Sequence, residues 1–193
     1  MIHRNLSISG LMLVESKEFH DERGFFTERY NRDTFMQEDF NENFVQDNFS
    51  RSLPGVLRGL HYQFDQPQGK LVSCVRGRIL DVVVDLRHTE PTFGKHYEVE
   101  LSGEKTMALW VPAGFAHGFC VIGNEPADVL YKVNCVYNPK GELGIRWNDP
   151  KFEIKWPVKA PMLSAKDLVT PGFEEYLLSP LAKTQWWKVK ADF

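Results

Sequence analysis

Five side chains of types that move protons, hold anions or ligate metals fall in or beside short apolar runs. They are Arg58 and His61 in Gly55-Val56-Leu57-Arg58-Gly59-Leu60-His61-Tyr62-Gln63, Lys70 in Gln68-Gly69-Lys70-Leu71-Val72, His117 in Pro112-Ala113-Gly114-Phe115-Ala116-His117, and Tyr131 in Val129-Leu130-Tyr131-Lys132-Val133. An imidazole in such a run serves as a general base, a metal ligand or a hydrogen-bonded structural group, and His61 admits all three readings. A single strand histidine is ordinarily structural. Burying several ionisable groups together, however, is costly unless they are paired or used, so the set marks a candidate site. Residues two apart share a strand face, which groups Tyr131, Val133, Cys135 and Tyr137 and sets His61 with Gln63, Arg58 facing the other way. Arg58 and His61 reach one pocket only if the strand bulges at Gly59, where a missing Cβ makes that feasible.

The elements that must position these groups read as strands. Apolar runs expected to be strands cover residues 12–16, 25–30, 44–50, 55–64, 70–75, 78–86, 95–101, 107–111, 117–122 and 129–137. Turn signals separate them, among them Asp21-Glu22-Arg23-Gly24, Leu53-Pro54-Gly55, Pro112-Ala113-Gly114 and Asn138-Pro139. With no long 3.6-period segment to serve as a crossover helix, the pattern predicts an all-β antiparallel sandwich or barrel. Short helices are expected at residues 31–40, 164–169 and 173–178. The Trp186-Trp187 pair must find cover, on this subunit or a neighbour.

Composition narrows the function classes. The chain has 193 residues, 42% of them hydrophobic and 25% charged, which suits a single domain over residues 1–193 with a substantial core. A net charge of −3 argues against a general nucleic-acid or membrane-surface binder. No apolar stretch approaches the ~20 residues a bilayer requires, and the first residues lack a secretory signal, so cytoplasmic residence is the default expectation. Cys74, Cys120 and Cys135 form no C-x-x-C pair and read as free buried thiols.

Metal-binding members of the cupin superfamily use two histidines one residue apart, a glutamate a few positions on, and a third histidine in a P-x-G-x-x-H motif. Only the last is present, ending at His117. Gln63 stands where the second histidine would be, and no acid lies between Asp65 and Asp81. Two imidazoles alone make a poor transition-metal site, so metal dependence is disfavoured.

Taken together, Asp21-Glu22-Arg23-Gly24-Phe25-Phe26-x-Glu28, Phe44-Val45-Gln46-Asp47-Asn48, Val56-Leu57-Arg58-Gly59-Leu60-His61-Tyr62-Gln63, Gln68-Gly69-Lys70, Asp81-Val82-x-Val84-Asp85-Leu86-Arg87 and Gly114-Phe115-Ala116-His117-Gly118-Phe119 closely resemble the dTDP-4-dehydrorhamnose 3,5-epimerase family. The likeness runs from about Leu11 to Asp167. It implies a cupin-type jelly-roll barrel with a few short helices, mostly toward the C-terminus, working without metal or cofactor on a dTDP-4-keto-6-deoxy-hexose. By resemblance His61 is the base, Asp167 the carboxylate that orients it, Tyr131 the proton donor, and Lys70 the cation at the developing oxyanion with His117 close by. Substrate contacts carry over to Arg23, Glu28, Gln46, Asp47, Asn48, Arg58, His117, Glu142 and Lys166, and a homodimer is implied. Ser164-x-x-Asp167 equally resembles a capping box, and Tyr137 is a candidate to pack on the thymine or sugar. Alternatives are an epimerase acting at C3 or C5 alone, a sugar-binding cupin without catalysis, and a metal-dependent cupin oxygenase or isomerase. The loop of residues 64–69 is shorter than in some members, and the tail after Asp167 is longer.

Overall fold

The structure, a computed structural model, describes residues 2–37 and 40–189. Its strands, in chain order, are β1 (Ile2–Asn5), β2 (Met12–Glu15), β3 (Glu18–Asp21), β4 (Gly24–Thr27), β5 (Gln46–Ser52), β6 (Leu57–Gln63), β7 (Lys70–Arg76), β8 (Arg78–Asp85), β9 (His96–Ser102), β10 (Met107–Val111), β11 (Phe115–Val121), β12 (Ala127–Val133) and β13 (Glu142–Gly144). Helix α1 (Arg32–Gln37) precedes β5, and α2 (Phe173–Leu178) lies in a tail that also contains 3₁₀ turns at Asp167–Val169, Pro180–Lys183 and Trp186–Lys188.

All strand pairings within the sheets are antiparallel. One sheet runs β1-β2-β10-β7-β12-β5, the other β13-β6-β11-β8-β9, and β3-β4 is a separate hairpin. From β5 to β12, β5, β7, β10 and β12 belong to the first sheet and β6, β8, β9 and β11 to the second, the orders 5-12-7-10 and 6-11-8-9 being those of a jelly roll. Period-2 alternation then sorts the side chains. Val72 and Cys74 of β7, Leu109 and Val111 of β10 and Ile79 and Val83 of β8 meet in a core between the sheets. Leu71, Ala108 and Trp110 point the other way, under Phe35 of α1 and Phe40.

The tail covers the outer face of the second sheet. Phe173, Tyr176, Ala182 and Trp186 pack on Leu60, Tyr62, Val82, Val84, Leu86 and Ala116. The Trp186 indole N–H donates to the Tyr176 hydroxyl at 3.4 Å, and that hydroxyl donates to the Leu86 carbonyl at 3.3 Å. The tryptophans thus find their cover within the subunit.

Several expected boundaries shift. The strand expected to reach residue 137 ends at Val133, so Cys135 and Tyr137 lie in the following turn and share no strand face with Tyr131. The segment expected at 25–30 is instead β4, the second arm of the hairpin, while β1, β3 and β13 are strands the apolar pattern did not announce. They are only three or four residues long, too short to show alternation. The helix expected at 31–40 spans Arg32–Gln37, positions 38 and 39 lying outside the described residues. At 164–169 only Asp167–Val169 is helical, as a 3₁₀ turn.

The anticipated bulge is present. His61 pairs with His117, but Arg58 pairs with Phe119, so three steps on β6 match two on β11. Gly59 sits there at φ +128°, and a Cβ on it would lie 2.5 Å from the Gly118 Cα. A Cβ on Gly118 would in turn lie 2.6 Å from the Arg58 carbonyl oxygen. Two backbones without side chains in the way are what let β6 kink. Gly118→Ala is therefore expected to lower stability by about 1–3 kcal/mol through overpacking, measured as a reduced urea midpoint with an unchanged m-value.

Candidate active site

The jelly roll is apolar at one end and opens at the other into a cavity of about 540 Å³. Asn48 and Ser50 of β5, Lys70 of β7 and Tyr131 of β12 line it from the first sheet. Arg58 and His61 of β6, His117 and Phe119 of β11 and Glu142 of β13 line it from the second. Tyr137, Ser164, Lys166 and Asp167 complete the wall from loops. The kink at Gly59 turns Arg58 and His61 into the same space, as the sequence required.

His61 is held by a residue 106 positions away. Its Nε2 lies 2.5 Å from Asp167 Oδ1, the imidazole mostly buried and the carboxylate almost wholly so. With the carboxylate as acceptor, Nε2 carries the proton and Nδ1 is left for the cavity. The same carboxylate accepts from the Ser164 hydroxyl at 2.7 Å, and the Asp167 backbone N–H donates to Ser164 Oγ at 3.3 Å. The His61–Asp167 pair is formed, whereas only half of a capping box is present: Ser164 Oγ accepts the Asp167 N–H, but the Asp167 carboxylate takes the Ser164 hydroxyl and not its backbone N–H. Burial alone would raise its pKa, but the hydrogen bonds from His61 and Ser164 hold it below the usual carboxylate range.

Glu142 lies near the other imidazole nitrogen, its Oε1 3.9 Å from His61 Nδ1. Its Oε2 accepts from both Tyr137 Oη and Lys166 Nζ at 2.8 Å. Burial pushes this carboxyl up, yet the bonds from Lys166 and Tyr137 and the charge of His61 leave it below its ordinary value. Burial also raises the Tyr131 phenol, with Glu142 adding to it and Arg58 opposing, so Tyr131 keeps its proton at neutral pH. For Lys70, burial brings the ammonium down to about 8, against the opposing charges of Glu142 and Asp81.

His117 is also paired. Its Nε2 lies 2.9 and 3.0 Å from the two oxygens of Asp81, a fully buried residue in the middle of β8. Sequence reasoning did not select Asp81 as a site residue. A signal was available: one carboxylate inside the otherwise apolar run Ile79-Leu80-Asp81-Val82-Val83-Val84. Among the described residues no three His, Cys, Asp or Glu side chains are grouped as a metal site would need.

The remaining candidates divide. Arg58 donates from Nε to Ser52 Oγ at 2.9 Å at the cavity wall. Gln46 stands just behind, its amide donating to Asn48 Oδ1 at 2.8 Å and its carbonyl accepting from the Tyr137 N–H at 3.0 Å. Asp47, one residue along β5, faces outward and pairs with Lys132 at 2.9 Å, because alternation places it on the opposite side from Gln46 and Asn48. Arg23 sits at the tip of the β3-β4 hairpin bound to Asp21, and Glu28 accepts from Asn31 Nδ2 at 3.0 Å. Neither belongs to the wall of this cavity.

The family model described as dTDP-4-dehydrorhamnose 3,5-epimerase matches residues 5–175. The enzyme of that name from Shigella flexneri is 50% identical over 163 residues, covering 83% of this chain and 90% of the relative. That from Pseudomonas aeruginosa is 50% identical over 172 residues, covering 88% and 94%. The dTDP-6-deoxy-D-glucose-3,5-epimerase of Legionella pneumophila, solved in complex with dTDP-4-keto-L-rhamnose, superposes with a TM-score of 0.86 at 44% identity, over 90% of this chain and 93% of that one.

The burial of Lys70 generates a prediction independent of any reaction. Burial brings the pKa of its amine down to about 8, from the 10.5 of a free lysine. Following lysine ¹³Cε shifts against pH, with Lys70→Met to assign the resonance, should give one midpoint near 8; a midpoint above 10 would refute the assignment of a desolvated ammonium.

Proposed function

The chain belongs to the dTDP-4-dehydrorhamnose 3,5-epimerase family, and from that premise we propose how its own residues carry the proton transfers. The reaction inverts C3 and C5 of dTDP-4-dehydro-6-deoxy-D-glucose to give dTDP-4-dehydro-L-rhamnose, in the synthesis of dTDP-L-rhamnose. Both C–H bonds are acidified by the C4 ketone, since removing either proton leaves an enolate. Inversion needs a base on one face of the sugar and an acid on the other. The observation that carries the assignment is that His61 and Tyr131 project into one cavity from opposite sheets.

In this reading His61 Nδ1 takes the proton while Asp167 holds Nε2–H and stabilises the imidazolium, the role logic of a triad carboxylate. The Lys70 ammonium donates to the enolate oxygen. The Tyr131 hydroxyl then gives its proton to the opposite face of the carbon and recovers one from solvent, to which the His61 imidazolium releases the proton it took. Repeating the cycle at the second carbon completes the double inversion. Arg58 and Lys166 offer a guanidinium fork and a point charge to the diphosphate, while Tyr137 offers an aromatic face to the thymine or sugar.

A homodimer accounts for the residues left outside the cavity. Phe19, Phe25 and Phe26 of the hairpin are 55%, 54% and 70% exposed, and Phe49 on the edge strand β5 is 61% exposed. An apolar surface of this kind beside an unpaired edge calls for cover. A second copy would supply it and would bring Arg23 and Glu28 toward a neighbouring site. The unpaired, buried Cys74, Cys120 and Cys135 support residence in a reducing compartment such as the cytoplasm.

Incubation with dTDP-4-keto-6-deoxy-D-glucose in D₂O should place deuterium at both C3 and C5, read by mass spectrometry and NMR. His61→Ala should reduce incorporation to the rate of the enzyme-free control. Label at one carbon, or full activity in the variant, would overturn the assignment. Light scattering at micromolar concentration should give twice the mass of the chain, and Phe26→Asp should shift it toward the monomer; a monomeric parent would refute the dimer.

A further inference from the structure

Five carboxylates are buried among the described residues, and four have evident work. Asp85 and Asp128 face Arg87 and Arg51, Asp149 accepts the backbone N–H groups of Lys151 and Phe173, and Asp167 holds His61. Asp81 has only His117 as a hydrogen-bond partner among the described residues, and the proton-transfer scheme leaves it without a part. An ionisable group enclosed by a β-sandwich core is costly to keep unless something depends on it.

The register explains the contact. Asp81 lies opposite Phe119 across the β8-β11 ladder, and His117 is two residues from Phe119 on the same inward face. The two are diagonal neighbours, within reach across a ladder. Asp81 itself is not part of the cavity wall, whereas His117 is. The carboxylate can accept but not donate, so it takes the Nε2–H and selects the tautomer of the ring. Nδ1, which has no hydrogen-bond partner among the described residues, then keeps its lone pair. On the facing sheet, Lys70 brings a group that can only donate.

We propose that Asp81 is a positioning residue that keeps the His117 proton on Nε2, so that Nδ1 accepts a hydrogen bond from a sugar hydroxyl beside the ketone whose oxygen Lys70 receives. Donor and acceptor together read a ketone with an adjacent hydroxyl, the arrangement at C4 and C3 of the substrate. The inference rests on the proposed epimerase reading, and it makes His117 an orienting contact instead of a second oxyanion donor.

The test has one readout that needs no substrate. In ¹⁵N-histidine-labelled protein at neutral pH, the His117 resonances, assigned by their loss in His117→Ala, should show a proton on Nε2 alone. In Asp81→Asn the carboxamide can donate to Nε2 and should move the proton toward Nδ1. A proton on Nδ1 in the parent protein, alone or together with Nε2, overturns the proposal even if Asp81→Asn fails to fold. Failure of the parent to turn over the keto-sugar would sink the epimerase reading while leaving this tautomer measurement intact.

The kinetic arm uses the same variants. Asp81→Asn should lower kcat by roughly 10- to 100-fold, as when a carboxylate orienting a working histidine is neutralised. Binding of dTDP, which lacks the keto-hexose that would contact His117, should stay within about twofold of the parent, a result that general unfolding would not give. In the His117→Ala background the same substitution should cost less than about twofold, because the residue it acts through is gone. Parent-like kcat in Asp81→Asn, loss of dTDP binding, or full additivity with His117→Ala would each show that Asp81 does not act through the His117 tautomer.

Discussion

Charged and polar groups inside a β-sandwich must be paired before they can be used, and the contact on which this site depends is the one between His61 and Asp167. The imidazole belongs to β6 and the carboxylate to the start of the tail, 106 residues later. A buried carboxylate without partners would be several kcal/mol out of place. Here it receives His61 on one oxygen and Ser164 on the other, and the pairing also anchors the chain as it leaves the barrel mouth. Removing either partner would leave the other desolvated.

Other features follow from the need to bring both sheets to one cavity. Apart from β8 and β9, the jelly-roll path from β5 to β12 sends successive strands to alternate walls, so residues close in sequence, such as His61 and Lys70, arrive on opposite sides. His61 and His117 stand on adjacent strands of one sheet, and Lys70 and Tyr131 on adjacent strands of the other. Glu142 sits between them electrostatically: it raises the phenol of Tyr131, offsets the desolvation of Lys70 and approaches Nδ1 of His61. The tail has a complementary duty. By packing Trp186 and Tyr176 on the outer face of the second sheet, it supports the strands that carry the two histidines from behind.

Much of the architecture was legible. Nine of the ten expected runs overlap a strand of the jelly roll or the β2 strand that extends it, and the tenth overlaps the hairpin, because half-buried antiparallel strands write their alternation into the sequence. The kink at Gly59 was foreseeable from the need to bring Arg58 and His61 together. Short pairings were not foreseeable: β13, which carries Glu142, forms only because β6 offers a free edge beside it. Asp81 announced itself only as an acid in an apolar run, and its partner could not be named before β8 was laid against β11.

The all-β character, the candidate proton-transfer groups and, through the motif set, the family resemblance can all be read from the chain of residues alone. Residue type limits what chemistry a side chain can do, and local periodicity limits which backbone it can occupy. Tertiary structure decided which candidates meet. Asp47 turned outward to Lys132 while Gln46 and Asn48 turned in, a choice set by strand phase. Arg23 and Glu28 stayed with a hairpin outside this subunit's cavity. Asp167 came to rest between His61 and Ser164, and Lys70 lost part of its basicity. Those outcomes depend on distances and on the removal of water, and both are set only when segments far apart in the chain pack against one another.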